Sequence, residues 1–581
     1  MPPMPQPPDS DPAPSGPAPL PPRDGSRPPP ASPPPAPPPA AAPEAPSAAA
    51  GARRGAAPRR AGPAALEPLK LPVFRMLWLT WVAANTCMWM NDVATAWMMT
   101  SLTTSPAMVA LVQSASTLPV FLLGLPSGAL ADILDRRRYF MITQLWVGAV
   151  ALVICTIVLL GWMTAPLLLA LTFCNGIGLA MRWPVFAAIV PELVPRAQLP
   201  AAMGLNGIAM NASRIVGPLV AGAVIASAGS HWVFVLNAVL SLGAAAVIWR
   251  WRRVHVPSPL GRERLGSAMR VGAQFVRQSP RMRSVLVRIA VFFVHATALL
   301  ALLPLIARAL PGGDAGTFTL LLASMGAGAI VGALLLPRLR QRLPRDRLVR
   351  LGTTVVSAAT AAVAFAPNVY VAVPAMALGG MAWLATANSM TTSAQLALPD
   401  WVRARGMSIY QMALMGATAT GAALWGQVAA MTSLHISLGT AAVTGVLAMH
   451  AVQRFMPDRS LEEDLTPSHR IAAPQAESPP RDGRVQVQIE YRIDPARADE
   501  FREVMMESRR SRLRQGALSW HLQRDLLDPA HFVEQIVDES WTEHLRRFDR
   551  VTASDVALRD RKLGFHVGEG PPRVTRFVIE R

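Results

Sequence analysis

The dominant feature of the sequence is a series of twelve apolar blocks. Each block has about 18–25 residues, which is the length that a helix needs to cross the hydrocarbon core of a bilayer. Charged residues make up only 16% of the 581 residues and the mean hydropathy is +0.31, whereas a soluble chain of this length would carry more charge. We therefore predict an all-α polytopic membrane protein. The twelve predicted spans centre near residues 74–98, 107–131, 139–160, 165–190, 200–227, 232–250, 284–308, 316–337, 348–366, 369–395, 406–430 and 435–452.

The connections between the blocks alternate between basic and nearly uncharged segments. The basic ones include residues 135–138, 250–288, 338–347 and 400–405, and the others read TTSP, ASAGSHW and APNV. This alternation follows the positive-inside rule, so we predict that the basic loops and both termini lie in the cytoplasm of a bacterium. The net charge of +19 then comes mostly from basic loops that set the orientation in the membrane, which argues against nucleic acid as a partner. The expected partners are the lipid bilayer of the inner membrane and a small-molecule substrate.

Composition divides the chain into six segments. The first holds nearly half of the 54 prolines and is predicted to be disordered, because such a segment cannot bury a core. The six segments are a Pro/Ala-rich cytoplasmic tail (1–65), an N-terminal six-helix half (66–252), a basic cytoplasmic central loop (253–283), a C-terminal six-helix half (284–452), a linker (453–483) and a cytoplasmic domain (484–581).

The central loop contains apolar residues at helical spacing. Leu265, Met269, Val271 and Phe275 alternate with arginines, which indicates an amphipathic helix that lies on the membrane surface. A plain basic loop is the alternative.

The two predicted halves resemble each other in sequence pattern. A Gly-Ala-Leu triplet at 128–130 ends the second block and another at 332–334 ends the eighth, and a basic loop follows each. The fifth and eleventh blocks both open with a turn, charged residues and then small residues, at 191–222 and 399–426. Two related six-helix halves are typical of transporters in which one half moves against the other around a site at the bilayer midplane.

The loop after the second block reads GALADILDRRR. It resembles the loop signature of the major facilitator superfamily, Gly-x-Leu-x-Asp-Arg-x-Gly-Arg-Arg, although Ile133 and Asp135 depart from it. The resemblance implies the major facilitator fold and a charge network that switches between conformations, with the network rewired around the departures. The residues of the predicted switch motif are Gly128, Asp132, Asp135, Arg136, Arg137 and Arg138.

A second motif lies in the fifth block, where RIVGPLVAG contains Gly217, Pro218 and Gly222. It resembles the Gly-Pro-x-x-Gly antiporter motif of the superfamily, which implies proton-driven export; plain helix packing is the alternative. The segments WMMTSLTTSPAMVALVQSASTLPVFLLGLPSGALAD (97–132) and VPELVPRAQLPAAMGLN (190–206) resemble the transmembrane secretion effector family, which includes an enterobactin exporter, and the resemblance covers roughly residues 70–450. The resemblance implies export of small amphiphilic molecules such as drugs, siderophores or secondary metabolites. An importer on the same fold stays open.

Titratable side chains are rare inside the blocks, and such residues are usually functional. Asp92 is the only acid well inside a block, and it follows Asn91. We predict that Asp92 binds a proton or a cationic group, or else is a structural partner for an arginine. Arg182 and Arg214 are predicted either to pair with Asp92 or to face an anionic group of the substrate. His295 is predicted either to carry protons or to be a hydrogen-bonded structural residue.

The sequence indicates neither a metal site nor a cofactor. Cys87, Cys155 and Cys174 all lie inside apolar blocks and lack the spacing of metal ligands. The sequence contains no Gly-x-x-x-x-Gly-Lys-Ser/Thr loop that would bind ATP. The expected energy source is therefore an ion gradient, with protons as the coupling ion.

The last segment has the composition of a soluble domain. VQVQIEYRI at 485–493 alternates apolar and polar residues, which predicts a half-buried strand. Asp494 and Pro495 are expected to start a helix that reaches about Arg514, and Ser540 is expected to start a second one. With three further strands, the order β-α-β-β-α-β predicts an α+β ferredoxin-like domain.

Residues 484–581 resemble the antibiotic biosynthesis monooxygenase-like family of dimeric α+β barrels, most clearly in VDESWTEHLRRFDR. The resemblance implies dimerisation through this domain, and some members of that family are enzymes. Trp541, His544 and Glu539 are candidates for chemistry, but no catalytic set carries over. We expect a regulatory, dimerising or ligand-sensing domain rather than an enzyme; a membrane-tethered enzyme is the alternative.

Overall fold

The computed structural model describes residues 64–195, 198–251, 265–399, 401–457, 464–468, 470–474 and 483–580. The predicted disordered tail lies outside these residues except at its end, where a short 3₁₀-helix covers Ala64–Lys70. Parts of the predicted central loop and linker also lie outside them.

A long helix occupies the place of each of the twelve predicted spans, and a shorter one, α7, follows the sixth. The helices are α1 (Pro72–Leu102), α2 (Pro106–Ile133), α3 (Arg136–Leu159), α4 (Ala165–Leu193), α5 (Leu199–Ala228), α6 (Ser230–Arg250), α7 (Leu265–Gln278), α8 (Pro280–Ala309), α9 (Ala315–Arg342), α10 (Arg345–Ala364), α11 (Val369–Leu396), α12 (Arg403–Met431) and α13 (Leu434–Phe455). Prolines begin α1, α2 and α8, and Asp314 forms a capping box at the start of α9.

Nine of these helices, within the described part of the chain, are long and apolar enough to cross a membrane. The three that fall short are α1, α10 and α12. The first two turns of α10 contain Arg345, Asp346, Arg347 and Arg350 and the rest is rich in Ala and Thr, so its hydropathy is low. The structure therefore supports nine apolar spans; the prediction of twelve is not confirmed, because three helices have the length but not the hydropathy.

Equivalent pairs of helices pack together in each half. In the first half α1 packs on α5, α2 on α4 and α3 on α6. The corresponding pairs in the second half are α8 with α12, α9 with α11 and α10 with α13. The halves meet where α2 contacts α12 and where α5 contacts α9, and these two contacts are also equivalent. The similarity between the halves therefore extends from the sequence to the packing, as in transporters built from two repeats.

Small residues permit the contacts between the halves. A Cβ atom at Gly222 of α5 would lie only 2.0 Å from the Oγ1 of Thr319 on α9. On the other side, Ser114 of α2 donates a hydrogen bond to the carbonyl of Ala419 on α12 at 2.7 Å. Without a hydrophobic driving force inside the bilayer, such close backbone approach and interhelical hydrogen bonds hold helices together.

Residues 484–580 form an α+β domain, called the soluble domain below. Its four strands form an antiparallel sheet in the order β2-β3-β1-β4. The predicted caps Asp494 and Ser540 accept hydrogen bonds from backbone N–H groups. The elements are β1 (Arg484–Arg492), α14 (Ala498–Arg514), β2 (Ser519–Arg524), β3 (His531–Asp538), α15 (Trp541–Asp549), α16 (Ala553–Leu563) and β4 (Arg573–Ile579).

The predicted strands of the soluble domain are confirmed, with one difference in the helices. Two helices connect β3 to β4 where one was predicted, because Thr552 and Asp555 form a capping box that starts α16. The alternating residues Val485, Val487 and Tyr491 all lie on the buried face of β1, as predicted.

The helix α7 joins the soluble domain to the membrane helices. Its Val271 and Phe275 are buried. Phe275 packs edge-on against Trp401, before α12, with ring centroids 5.7 Å apart. Val271 lies beside Gly516 of the soluble domain, which has a left-handed φ of +111°. The predicted amphipathic helix is confirmed, but its position on the membrane surface was wrong, because protein covers its apolar face.

Candidate functional site

The guanidinium of Arg182, on α4, is buried against one face of α1. It donates hydrogen bonds from Nη1 to the carbonyl of Ala84 (3.2 Å) and from Nη2 to the Sδ of Met88 (3.7 Å). It also lies 5.6 Å from the centre of the Trp81 ring. Asp92 follows Met88 by one turn on the same face, and its charge interacts with that of Arg182. The structure thus brings together two residues that the sequence singled out.

Helical spacing in α1 accounts for this arrangement. Trp81, Met88 and Asp92 share one face because they are seven and four residues apart. Trp81 stacks on Phe186 of α4 with ring centroids 3.8 Å apart, one turn after Arg182, so the rings hold α4 in register with α1. A charge removed from water needs partners, and Arg182 has the Ala84 carbonyl and the Trp81 ring. Asp92 adds a longer-range attraction, without a direct ion pair among the described contacts.

Arg214, on α5, contacts a different part of α1. Its guanidinium lies 5.7 Å from the centre of the Trp89 ring. Two contacts hold α5 there. A Cβ at Gly217 would lie 2.5 Å from the Cβ of Trp89, and the hydroxyls of Thr86 and Ser213 form a hydrogen bond of 3.1 Å. Arg214 is therefore fixed near α1, but the structure does not bring it to Asp92.

Asn91 and His295 lie apart from the charged pair. Successive residues on a helix point about 100° apart, so Asn91 faces α6 instead, where its Oδ1 accepts a hydrogen bond from Asn237 at 3.3 Å. His295 belongs to α8 in the second half. Its Nδ1 is 2.7 Å from the carbonyl of Val291 and its ring is 5.7 Å from that of Trp425. In this structure Asn91 joins two helices, and His295 is not close to Asp92.

The predicted antiporter motif packs α5 on two neighbours. Gly217 faces α1, whereas Gly222 faces Thr319 of α9 in the other half. Pro218 lies inside the helix between them. These residues therefore act in packing, and their part in proton-driven export stays a prediction.

The predicted switch motif lies between α2 and α3. Asp135 caps α3 by accepting a hydrogen bond from the backbone N–H of Arg138 at 2.9 Å. Arg137 donates from Nε and Nη2 to two carbonyls at the end of α6, where cations are favourable. The charge network that includes Gly128, Asp132 and Arg136 stays a prediction, because the structure does not describe the side chains at that end of α2.

Arg308, at the end of α8, links the two halves on the side of the uncharged loops. Its Nη1 donates a hydrogen bond to the carbonyl of Thr100 at 2.7 Å, and its guanidinium lies 4.9 Å from the Trp97 ring. The Trp97 ring also stacks on Phe318 of α9 at 5.9 Å. Sequence reasoning missed these residues, because an arginine at the end of a span usually anchors it at the interface.

On the side of the basic loops, the two halves separate along α5. The helices α5 and α9 meet at Gly222 and again at Gly326, where a Cβ would lie 3.0 Å from Ile215. Nearer the basic loops, a Cβ at Gly204, which lies on the same face as Gly222, would meet no atom within 4 Å. Within the described residues, the gap between these helices therefore faces the basic loops.

Glu539 of the soluble domain contacts α7 rather than an open cleft. Its Oε2 accepts hydrogen bonds from the hydroxyl of Ser267 (2.5 Å) and from Nη2 of Arg270 (2.6 Å). Beside it, Gln274 donates to the carbonyl of Ala517 at 2.7 Å. This candidate for chemistry is therefore part of the interface between the soluble domain and α7.

His544 lies in a closed polar contact inside the soluble domain. Its Nδ1 is 2.7 Å from Asp538 and its Nε2 accepts a hydrogen bond from Arg576 at 3.3 Å. Burial lowers the pKa of His544, although Asp538 acts in the opposite direction. Trp541 packs at the edge of the core. Within the described residues, no group of three or more His, Cys, Asp or Glu side chains is placed to hold a metal ion.

A buried carboxylate, Glu534, lies at the centre of the soluble domain. It accepts hydrogen bonds from Tyr491 (3.0 Å), Trp520 (2.9 Å) and Lys562 (3.0 Å). Burial alone would raise the pKa of Glu534, but the charges of Lys562 and Arg512 hold it well below its ordinary value. Burial lowers the pKa of Lys562 to about 8, although Glu534 opposes the shift. Sequence reasoning missed this network, because β3 mixes polar and apolar residues and its sequence does not show that Glu534 is buried.

The profile of the transmembrane secretion effector family matches residues 63–581. The chain belongs to this family of major facilitator transporters. The match includes the soluble domain, whereas the sequence resemblance had ended near residue 450. The relationship of that domain to monooxygenase-like barrels stays a prediction.

Several transporters are similar to this member of the family. The uncharacterised transporter YfiS of Bacillus subtilis is 27% identical over 180 residues, which cover 30% of this chain and only 42% of YfiS. The enterobactin exporter EntS of Salmonella typhi is 26% identical, covering 55% of this chain and 75% of EntS. Macrolide efflux protein A of Enterococcus faecalis is 26% identical, covering 40% and 72%.

Among solved structures, the nucleoside transporter NupG (D323A variant) is similar with a TM-score of 0.55 at 13% identity. The similarity covers 66% of this chain and 99% of NupG, and it shows a shared fold. The chain is therefore a multi-pass transporter of the major facilitator fold.

Proposed function

We propose that the protein is a proton-coupled exporter of small amphiphilic molecules, working by alternating access in the inner membrane of a bacterium. The observation that carries the proposal is the pair of Asp92 and Arg182 between α1 and α4. Ionisable groups inside spans are expensive, and they mark the paths of protons and substrates. The similarity to an enterobactin exporter and to a macrolide efflux protein supports export rather than uptake.

Protonation of Asp92 is the proposed coupling event. The ionised carboxylate offsets the charge of Arg182, whereas the protonated acid leaves Arg182 with the Ala84 carbonyl, Met88 and the Trp81 ring. The two protonation states therefore differ in how tightly α4 is held on α1. A proton or a substrate that favours one of these states shifts the balance between the two conformations.

We infer that the basic loops face the cytoplasm, as the positive-inside rule requires. In that orientation the gap between α5 and α9 opens to the cytoplasm, and Arg308 with Thr100 closes the outer side. Substrate then enters from the cytoplasm. Export requires the outer contacts to separate as the inner gap closes.

The test uses everted membrane vesicles with an acid interior, reported by a pH-quenched dye. Drugs, siderophores and other amphiphiles are added to vesicles with and without the protein. We expect loss of the proton gradient on adding a transported compound, and we expect Asp92→Asn to abolish that response. Glu67→Gln, a matched change at an exposed carboxylate outside the long helices, is expected to leave it intact.

Two outcomes would contradict parts of this proposal. An unchanged response in Asp92→Asn removes Asp92 as the coupling residue. Substrate-dependent proton movement only in right-side-out vesicles, with uptake of the compound, makes the protein an importer.

We infer that the soluble domain regulates transport, since α7 connects it to α12. Arg550 of this domain lies 5.1 Å from the Trp401 ring at the start of α12, and α12 packs on α2, which belongs to the other half.

The edge strand β4 leaves Phe577 and Val578 about half exposed, which supports the predicted dimerisation. Removal of residues 484–581 is expected to change the transport rate without abolishing transport. Product formation from a monooxygenase substrate by the full chain would favour the enzyme alternative.

A further inference from the structure

Arg214 is a cation within α5 that the transport mechanism described above does not use. We propose that it binds an anionic group of the transported molecule, so that the exporter acts on anions that carry a carboxylate, phosphate or phenolate. This inference rests on the proposed export function and adds the chemical class of the substrate.

The pattern of exposure along α5 shows which way Arg214 points. Val216 and Leu219 are 46% and 44% exposed, so they lie on the outer face of the bundle. Arg214 and Ala221 share the opposite face, since residues seven apart on a helix lie in one line, and Ala221 is fully buried. The guanidinium of Arg214 therefore points into the bundle rather than toward lipid.

The helix α5 is also fixed at the seam between the two halves. On one side Gly217 lets it approach Trp89 of α1, and on the other Ile215 packs on Gly326 of α9. Arg214 lies between these two contacts in the middle of α5. Transporters built from two repeats bind their substrates at this place, near the bilayer midplane and between the halves.

The two arginines differ in how their charge is balanced, and Arg182 is buried whereas Arg214 is only partly buried. Arg182 has Asp92, a carbonyl and an aromatic ring as partners. Among the described residues, Arg214 has only the Trp89 ring, and no carboxylate acts on its charge. A ring face compensates a desolvated cation only in part. A bound anion would supply the missing partner through the paired N–H groups of the guanidinium.

The contact with Trp89 fits such a site. The guanidinium carbon of Arg214 lies 5.7 Å from the centre of the Trp89 ring, within cation–π range, and the contact leaves the N–H groups available for an anion. The Thr86–Ser213 hydrogen bond and Gly217 prevent α5 from sliding away from α1. The cation is therefore positioned before a ligand arrives, which reduces the entropy lost on binding.

The test compares two dyes on one ring system, anionic fluorescein and cationic rhodamine 6G, with the full chain reconstituted in liposomes. Binding is measured by fluorescence anisotropy, so it does not depend on transport, and dye efflux is measured separately. We expect fluorescein to bind at least tenfold more tightly than rhodamine 6G. Arg214→Gln should weaken fluorescein binding by about tenfold or more, as expected for loss of a charge-assisted hydrogen bond, and should leave rhodamine binding unchanged.

Two further variants keep the test decisive. Arg214→Lys retains the charge without the paired donors and is expected to keep part of the affinity, even if Arg214→Gln does not fold. Arg75→Gln removes an exposed charge at the start of α1 and should change nothing. Unchanged fluorescein binding in Arg214→Gln, tighter binding of rhodamine 6G to the wild type, or binding of neither dye to folded protein would overturn the inference.

The outcomes separate this inference from the export proposal. Efflux of rhodamine 6G with no fluorescein binding would support the export proposal and would exclude an anion site at Arg214. If fluorescein binding depends on Arg214 but neither dye is transported, the result would support the anion site and contradict the export proposal.

Discussion

Arg270 on α7 and Glu539 in the soluble domain form an ion pair with 2.6 Å between Nη2 and Oε2. The pair connects a helix between the two membrane halves to a domain more than 250 residues later in the chain, since the two residues are 269 apart. Arg270 also donates to the carbonyl of Gly516 at 3.3 Å. The soluble domain is thus held on the helix that leads from one half of the transporter to the other.

Reversing one charge of this pair should loosen the domain. Both side chains are about one third exposed, so the pair itself contributes only about 0–1 kcal/mol; Arg270→Glu adds repulsion to that loss. We expect faster hydrogen exchange at residues 515–520 and in α7. The double variant Arg270→Glu, Glu539→Arg should recover most of the protection. Equal exchange in the wild type and the single variant would mean that other contacts alone hold the domain.

Gly222 should not tolerate a side chain. The Cβ of Gly222→Ala would lie 2.0 Å from the Oγ1 of Thr319, so α5 and α9 must move apart where the halves meet. We expect a strong loss of transport, measured in the vesicle assay. Gly204→Ala in the same helix is the matched control, because a Cβ there meets no atom within 4 Å. Equal activity of the two variants would exclude close approach at Gly222 as a requirement of the transport cycle.

Removing Asp92 alone should destabilise the protein more than removing the pair. Asp92→Asn removes the negative charge that attracts the buried Arg182 from beyond direct contact, so we expect a lower thermal stability in detergent. Asp92→Asn with Arg182→Gln leaves no buried charge, so we expect it to recover much of the thermal stability in detergent. Proton coupling should be lost in both variants. A double variant less stable than Asp92→Asn would show that Arg182 stabilises the helices without the help of Asp92.

Helical periodicity and local chemistry explain what the sequence could predict. The twelve long helices, the cap at Asp494 and the buried alternation of β1 all follow from short-range patterns. The approach of Arg182 to Asp92 was one of two alternatives, because spacing places Asp92 on a face of α1 but does not identify the helix opposite. The choice between Arg182 and Arg214 required the packing of three helices.

The predictions that were wrong or not confirmed depend on what lies against each helix. The apolar face of α7 looks the same whether lipid or protein lies against it, so the sequence indicated the membrane while the structure places Trp401 and the soluble domain there. The helices α1, α10 and α12 have lower hydropathy than membrane spans usually have. A helix that packs among other helices needs fewer apolar residues, and hydropathy alone does not show which helices do so. The sequence did not single out Arg308, because its contact with Thr100 joins residues 208 apart in the chain.

The soluble domain should lose stability in two steps as the pH falls. Burial sets the folded pKa of His544 below its ordinary value of about 6.5, so the folded state binds fewer protons there and stability falls as pH drops through that value. The folded pKa of Glu534 is also lowered, by Lys562 and Arg512 against the effect of burial. Its contribution is present above about pH 4.3, the ordinary value, and is lost as the pH falls toward the folded pKa.

Hydrogen exchange of β3 in the full-length protein measures both steps. His544→Gln should remove the step near pH 6.5 and keep the one below pH 4.3, because it abolishes the titration without touching Glu534. Glu534→Gln should remove the lower step and destabilise the domain at pH 7 by about 3–5 kcal/mol, since Arg512 and Lys562 then lose the carboxylate that both contact. Equal stability of the wild-type domain at about pH 7 and about pH 4.5 would contradict the lowered pKa of His544, and no further loss at a pH well below about 4.3 would contradict that of Glu534.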